Sequence, residues 1–278
     1  MQTQPLAQPH RLLAFAAEML TLCEWLLFLI VVFVPLERVC ALHRQKIFRK
    51  AWSADLLYYF LSGFAPKLLM TLPLTLLAAV VHRLVPVGYY HAMAGIPLWL
   101  RLPAAFVVGE IGAYWGHRWS HEIRFLWRFH AIHHSAEEID FLVNTRAHPV
   151  DMFFVRFCGL VPMYVLGLAQ AGGNRLDPGP ILITVLGTVW GFFIHANIKW
   201  RFGWLEWLLA SPAFHHWHHT NDGPELIDKN YAAMLPLVDK LFGTLYLPKN
   251  QWPVKYGIDA KVPSNVPEQL VRPLLLSD

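Results

Sequence analysis

Apolar positions in this chain come in long blocks rather than at one-face spacing, and a membrane-spanning helix needs about 20 such residues. Met19–Leu36 is the first block, with Glu18 and Glu24 near its start. Leu56–Pro86 is the second; Pro66, Lys67 and Pro73 interrupt it, so it reads as one tilted span or a tight helical hairpin. Leu98–Trp115, Met152–Ala169 and Ile181–Ile198 follow, the last two separated by the turn-forming stretch Ala171–Pro180. The pattern predicts an all-α integral membrane bundle of about four to five transmembrane helices. Between and after the later blocks lie polar, histidine-rich stretches.

Charge adds an orientation. The loop after the first block carries Arg38, Arg44, Lys46, Arg49 and Lys50, and basic loops stay on the cytoplasmic side. Counting Leu56–Pro86 as one crossing puts His117–Pro149 and the tail after Lys199 on that same side. The histidine-rich stretches are therefore expected in the cytoplasm, at a bacterial inner membrane or the endoplasmic reticulum. Charged residues are 15% of the chain, against roughly 25% in soluble domains, and mean hydropathy is +0.36. Lipid is thus a large part of the expected solvent, and 12 tryptophans and 9 tyrosines suit interfacial belts. The net charge of +4, without a basic stripe interleaved with aromatics, gives no reading of nucleic-acid binding. Cys23, Cys40 and Cys158 are scattered and read as thiols, neither a disulfide frame nor a metal motif. Met1–Arg11 lacks the pattern of a cleaved signal peptide.

Histidine is the chemical clue, with 15 in the chain and eleven of them between His117 and His219. His117 and His121 are four apart, which puts both on one helix face. His130, His133 and His134 repeat at i, i+3, i+4, and so do His215, His218 and His219; His216 falls off that frame and is the weaker candidate. Eight imidazoles exceed what one ion takes and suit two. Nitrogen ligands favour iron, zinc, copper or nickel over magnesium or calcium. A lone buried histidine is ordinarily a structural residue, and a solvated pH-sensing surface is the main alternative for a cluster. The interleaved Trp115, Trp119, Trp127, Phe129, Phe214 and Trp217 argue against a freely solvated face. A histidine-rich metal transporter would need ligands trailing through the spans. A membrane zinc hydrolase would want His-Glu-x-x-His, which is absent. Glu110, Glu122, Glu137, Glu138 and Asp140 are either imidazole-orienting partners or solvated helix charges.

The motifs Tyr114-Trp-Gly-His-Arg-Trp-Ser-His121, Leu126-Trp-Arg-Phe-His-Ala-Ile-His-His-Ser135 and Phe214-His-His-Trp-His-His219 follow one another in order, with Asp228-Lys-Asn-Tyr231 and Asp239-Lys-Leu-Phe-Gly-Thr244 after them. In these the chain resembles the fatty acid hydroxylase superfamily, which includes sterol desaturases and sterol methyl oxidases. The resemblance implies a catalytic domain over 110–247 with a cytoplasmic, histidine-rich helical cap, preceded by a first helix with its basic loop (1–55) and a transmembrane region (56–109). The tail over 248–278, with its prolines, reads as irregular. It also implies two iron ions, with zinc as a possible substitute, O2 as co-substrate, and hydroxylation or desaturation of a sterol, fatty acyl chain or polar lipid. No cytochrome b5-like domain is fused to the sequence, so electrons would come from a separate cytochrome b5, ferredoxin or reductase. His195 is a coin toss between ligand and helix-end residue on its own, and the resemblance favours ligand. His148, in Arg146-Ala-His-Pro-Val-Asp151, is either a ligand or a support for one. Asp228 and Asp239 either orient imidazoles or anchor the cap. Lys199 stands where the fatty acid 2-hydroxylase branch has another histidine, a departure from that branch.

Overall fold

The computed structural model describes residues 7–169 and 178–275, so most of the Ala171–Pro180 turn and the start of the N-terminal segment lie outside the described residues. It is all-helical. The elements run α1 (Ala7–Val39), α2 (Trp52–Leu84), α3 (Val87–Ala94), α4 (Leu98–Glu122), α5 (Arg124–His134), a 3-10 turn (Phe141–Thr145), α6 (Pro149–Val165), α7 (Pro178–His195), a second 3-10 turn (Gly203–Trp207), α8 (Pro212–His218), α9 (Pro236–Phe242) and α10 (Val266–Leu275).

α1 and α2 are long and apolar enough to cross a membrane. Their outward residues, such as Leu68 and Leu72, are left uncovered by the protein, as lipid-facing positions would be. α2 runs without a break from Trp52 to Leu84, which decides for a single helix over the hairpin. α3 and α4 meet at 113° around Gly95–Pro97 and together make a third candidate span. That gives two or three membrane-capable helices among the described residues, fewer than the four to five expected from apolar runs. α6 has 17 residues, or about 25 Å of helix, and carries Asp151 and Arg156. α7 has 18 residues, and Leu182–His195 of it is apolar.

α4 and α6 form the closest helix pair, and small residues explain why. A Cβ added at Gly112 would sit 2.3 Å from the Cys158 carbonyl oxygen, and one at Gly116 would sit 2.8 Å from the Cys158 Cβ. Gly159 in turn faces the Gly109 carbonyl. Such seams let backbones approach closely, which supplies packing where no hydrophobic drive pulls helices together. Gly112→Ala is therefore expected to push α6 off α4 and to destabilise the protein by about 1–3 kcal/mol. A melting midpoint in detergent equal to wild type would refute this.

Buried charges tie the loops around the histidine helices together. Arg49 donates to Asp55 (2.6 Å) and to both oxygens of Asp140 (2.6 and 2.7 Å), and Arg146 pairs with Asp55. All four side chains are buried. Arg49 is therefore not a surface charge of the basic loop, whereas Lys50 remains at the surface and pairs with Glu137. Glu37, at the end of α1, accepts from the backbone of Phe141 and Asn197, and Cys40 O accepts from Lys199 N. The loops 40–51, 135–148 and 196–202 are thus interlocked.

The tail is not all irregular, because 266–275 is helical. Pro267 falls in the first turn, where a missing N–H costs nothing. Asn265 caps the start by accepting from Glu268 N (2.9 Å), and Gln269 reaches Tyr58 Oη (2.9 Å). The proline count concealed this amphipathic turn pattern.

Candidate metal centre

Two helix starts set the site. Ser211 caps α8 by accepting from Phe214 N, with Pro212 pre-set for the first turn. His148 caps α6 in the same way, accepting from Val150 N ahead of Pro149. α4 and α5 bring in the other histidines, and α7 ends on His195.

Nine imidazoles converge in two groups: His117, His121, His130, His134 and His218 in one, and His133, His195, His215 and His219 in the other. Within each, one ring nitrogen per residue lies within 4.8 Å of all the rest. The two His-x-x-His-His boxes do not each serve one group. His130 and His134 enter the first group while His133 enters the second; His215 and His219 enter the second while His218 enters the first. Successive helix residues point about 100° apart, so the adjacent members of each box diverge. His134 stacks on His219 at 4.4 Å and joins the groups.

The outer ring nitrogens decide what the inner ones can be. His117 Nδ1 contacts Tyr231 O (2.6 Å), His121 Nδ1 contacts Asp228 Oδ1 (3.1 Å), His130 Nδ1 contacts Asp151 Oδ2 (2.9 Å), and His218 Nδ1 contacts Lys229 O (2.8 Å). Carbonyls and carboxylates only accept, so each of these nitrogens carries the proton and donates it. The inner Nε2 atoms are then bare lone pairs. Yet His130 Nε2 lies 3.1 Å from the Nε2 of His117, His121 and His134. His218 Nε2 is buried with no hydrogen-bond partner. In the second group, His133 donates to Arg146 O and His195 to Gly191 O, while their Nε2 atoms sit 3.3 Å apart. Lone pairs held face to face repel unless a cation lies between them, so both groups fit a metal ion.

Burial also keeps five of these donors neutral. It pushes His133 down to about 3, and His134, His215, His218 and His219 well below the usual histidine value; neighbouring imidazoles add to the effect. Neutral imidazole is the metal-binding form, so near pH 7 no proton need leave.

A family model described as fatty acid hydroxylase matches residues 102–244, a stretch containing all nine converging histidines. The chain belongs to the fatty acid hydroxylase family. An ornithine lipid hydroxylase of Rhizobium tropici is 33% identical over 181 residues, covering 64% of this chain and 51% of that protein. An alkylglycerol monooxygenase of Xenopus tropicalis is 29% identical over 166 residues, 59% of this chain and 34% of the relative. A methylsterol monooxygenase of Arabidopsis thaliana is 28% identical over 169 residues, 54% of this chain and 55% of the relative. The chain thus spans from a third to about half the length of these relatives. No solved structure matches it.

Two of the histidines singled out by sequence stand apart from both groups. His148 Nε2 bonds Leu270 O (3.1 Å) while its Nδ1 caps α6. His216 bonds Tyr256 Oη (2.9 Å) and Ala196 O (3.1 Å). Each has both nitrogens engaged elsewhere. Among the acids, Asp228 orients His121, while Asp239 anchors the cap through Tyr231 N, Ala232 N and Thr244 Oγ1. Glu110 accepts from Met234 N and Leu235 N, Glu122 pairs with Arg118, and Glu137, Glu138 and Asp140 hold the basic loop. None of these five touches an imidazole of the groups. Sequence reasoning gave Asp151 no role. It is buried, accepts from Ser120 and fixes His130, and its place in the first turn of α6 beside His148-Pro149 was the available signal. Asp151→Ala is expected to weaken metal binding about 10–100-fold while leaving the chain folded. Competition with a metal-binding dye would measure this, and an unchanged affinity would remove Asp151 from the site.

Proposed function

We propose that the protein is a membrane-bound lipid hydroxylase that uses O2 and external electrons, with one iron ion in each imidazole group. The observation that carries this is the convergence of inner lone pairs whose outer nitrogens are committed to fixed acceptors. An all-nitrogen donor set suits iron, and zinc could take its place. When bound, the metal pair supplies the O2-activating redox chemistry. The chain's own residues do the rest. Tyr231 O, Asp228, Asp151, Lys229 O, Arg146 O and Gly191 O hold the rings in one tautomer, and the buried aromatic shell of Tyr114, Phe129, Phe214 and Trp217 excludes water. The names of the relatives, hydroxylase and monooxygenase acting on ornithine lipid, alkylglycerol and methylsterol, favour hydroxylation of a lipid over desaturation.

The interlocked loops support a topology with the site on the cytoplasmic side. α1 ends and α2 begins beside the histidines, and α4 returns to them. The transporter reading loses ground because the histidines gather at two points rather than along the spans. A zinc hydrolase would want a carboxylate within a group, and both groups are purely histidine.

The test is to purify the protein anaerobically from membranes and count iron per chain. Lipids of cells with and without the gene are then compared under 18O-labelled O2. The expected result is one iron per group and a lipid that gains a labelled oxygen only when the gene is present. Absence of metal, or of any labelled lipid, would overturn the proposal.

A further inference from the structure

Away from the imidazoles, the segment Gly203-Trp-Leu-Glu-Trp207 has an unusual distribution of polarity. Trp204 is 72% exposed, and Leu205, Trp207 and Leu208 are exposed beside it. Glu206, the one carboxylate in the segment, turns inward and is 4% exposed. Arg201 Nε donates to it at 3.0 Å and Ser211 Oγ at 2.6 Å. α9 continues the surface with exposed Leu237 and Leu241, while its own Asp239 faces inward. Lys240 Nζ stacks 4.1 Å above the Trp207 ring. A soluble surface would show the acid and hide the tryptophans, and this face does the opposite.

Its depth follows from α4. Glu110 accepts from Met234 N (2.9 Å) and Leu235 N (3.1 Å), which pins the start of α9 to α4. Glu110 lies twelve residues before the end of α4 at Glu122, about 18 Å along the helix. The whole of α4, Glu110 included, belongs to the third candidate span.

We propose that the Gly203–Trp207 turn and α9 form a face that sinks into a glycerophospholipid bilayer interface beside α4. Tryptophan and leucine would enter at the level of the glycerol and upper acyl chains, and Lys240 would reach back to the phosphates. The inference rests on the membrane part of the proposed function and not on the metals. Ser211, the cap of α8, bonds the inward Glu206, so the lipid-facing turn is tied directly to the helix that carries His215 and His218. The face would set how far the imidazole groups stand from the bilayer, and it is the surface a lipid would cross to reach them.

The test places a nitroxide at position 204 (Trp204→Cys) and, in a second protein, at 261 (Lys261→Cys). Both are made in a full-length background with Cys23, Cys40 and Cys158 replaced by alanine, checked for fold by its melting midpoint. In phosphatidylcholine–phosphatidylglycerol vesicles, collision with O2 is compared with collision with a water-soluble nickel chelate. The ratio of O2 to nickel collisions is expected to be several-fold higher at 204 than at 261. Equal ratios would overturn the proposal. So would a label at 204 excluded from both probes and broadened by a neighbouring label, because a second copy of the chain would then cover the face. Neither readout depends on metal or turnover, so a failed hydroxylase assignment leaves this result standing, and the reverse.

Discussion

Asp55→Ala is expected to cost about 3–5 kcal/mol, because it strands the buried Arg146 guanidinium and takes one of two carboxylates from Arg49. Asp55 is fully buried and is shared by Arg49 and Arg146. Asp140 can still neutralise Arg49, but Arg146 loses its carboxylate. The damage reaches the site, since the Arg146 carbonyl accepts from His133 Nδ1. Typical domains are stable by only about 5–15 kcal/mol, so yield of folded protein should fall sharply. The double replacement Asp55→Leu with Arg146→Met removes both members of one pair and leaves Arg49 with Asp140. It is expected to melt above the single Asp55→Ala variant. A single variant that melts like wild type would show that the network is not holding the cap.

His218→Ala should abolish turnover and remove the metal of the five-imidazole group while sparing that of the four-imidazole group. His195→Ala should do the converse. His148→Ala is the control, since both of its nitrogens are engaged at α6 and Leu270, and it should keep its metals. Elemental analysis of the three purified variants reads the outcome. Loss of all metal from each variant alike would mean that one pooled site, not two, underlies the geometry.

The histidine boxes were legible in the sequence because helical spacing is local: a residue and its fourth neighbour share a face whatever surrounds them. Membership of the groups was not legible, because His133 and His134 are adjacent in sequence yet belong to different groups, and only the placement of α7 and α8 decides which. His195 shows the same limit, since its partners His133, His215 and His219 come from α5 and α8. The orienting acids divide likewise: Asp151 and Asp228 meet imidazoles across long sequence separations, while Glu110, nearer in sequence to His117, serves α9 instead. Apolar runs and helices do not coincide everywhere, and α6, with 17 residues, is shorter than the run that announced it. The long α1 and α2 announced themselves by composition alone.

The crossed membership of the two boxes bears on how such a centre could be taken apart or simplified. α4 serves only the first group and α7 only the second, whereas α5 and α8 each supply rings to both. Removing α5 or α8 dismantles both groups at once. A version of this scaffold that keeps one group is therefore open to changes on α4 or α7, or to single side chains of α5 and α8, and closed to the loss of α5 or α8 whole.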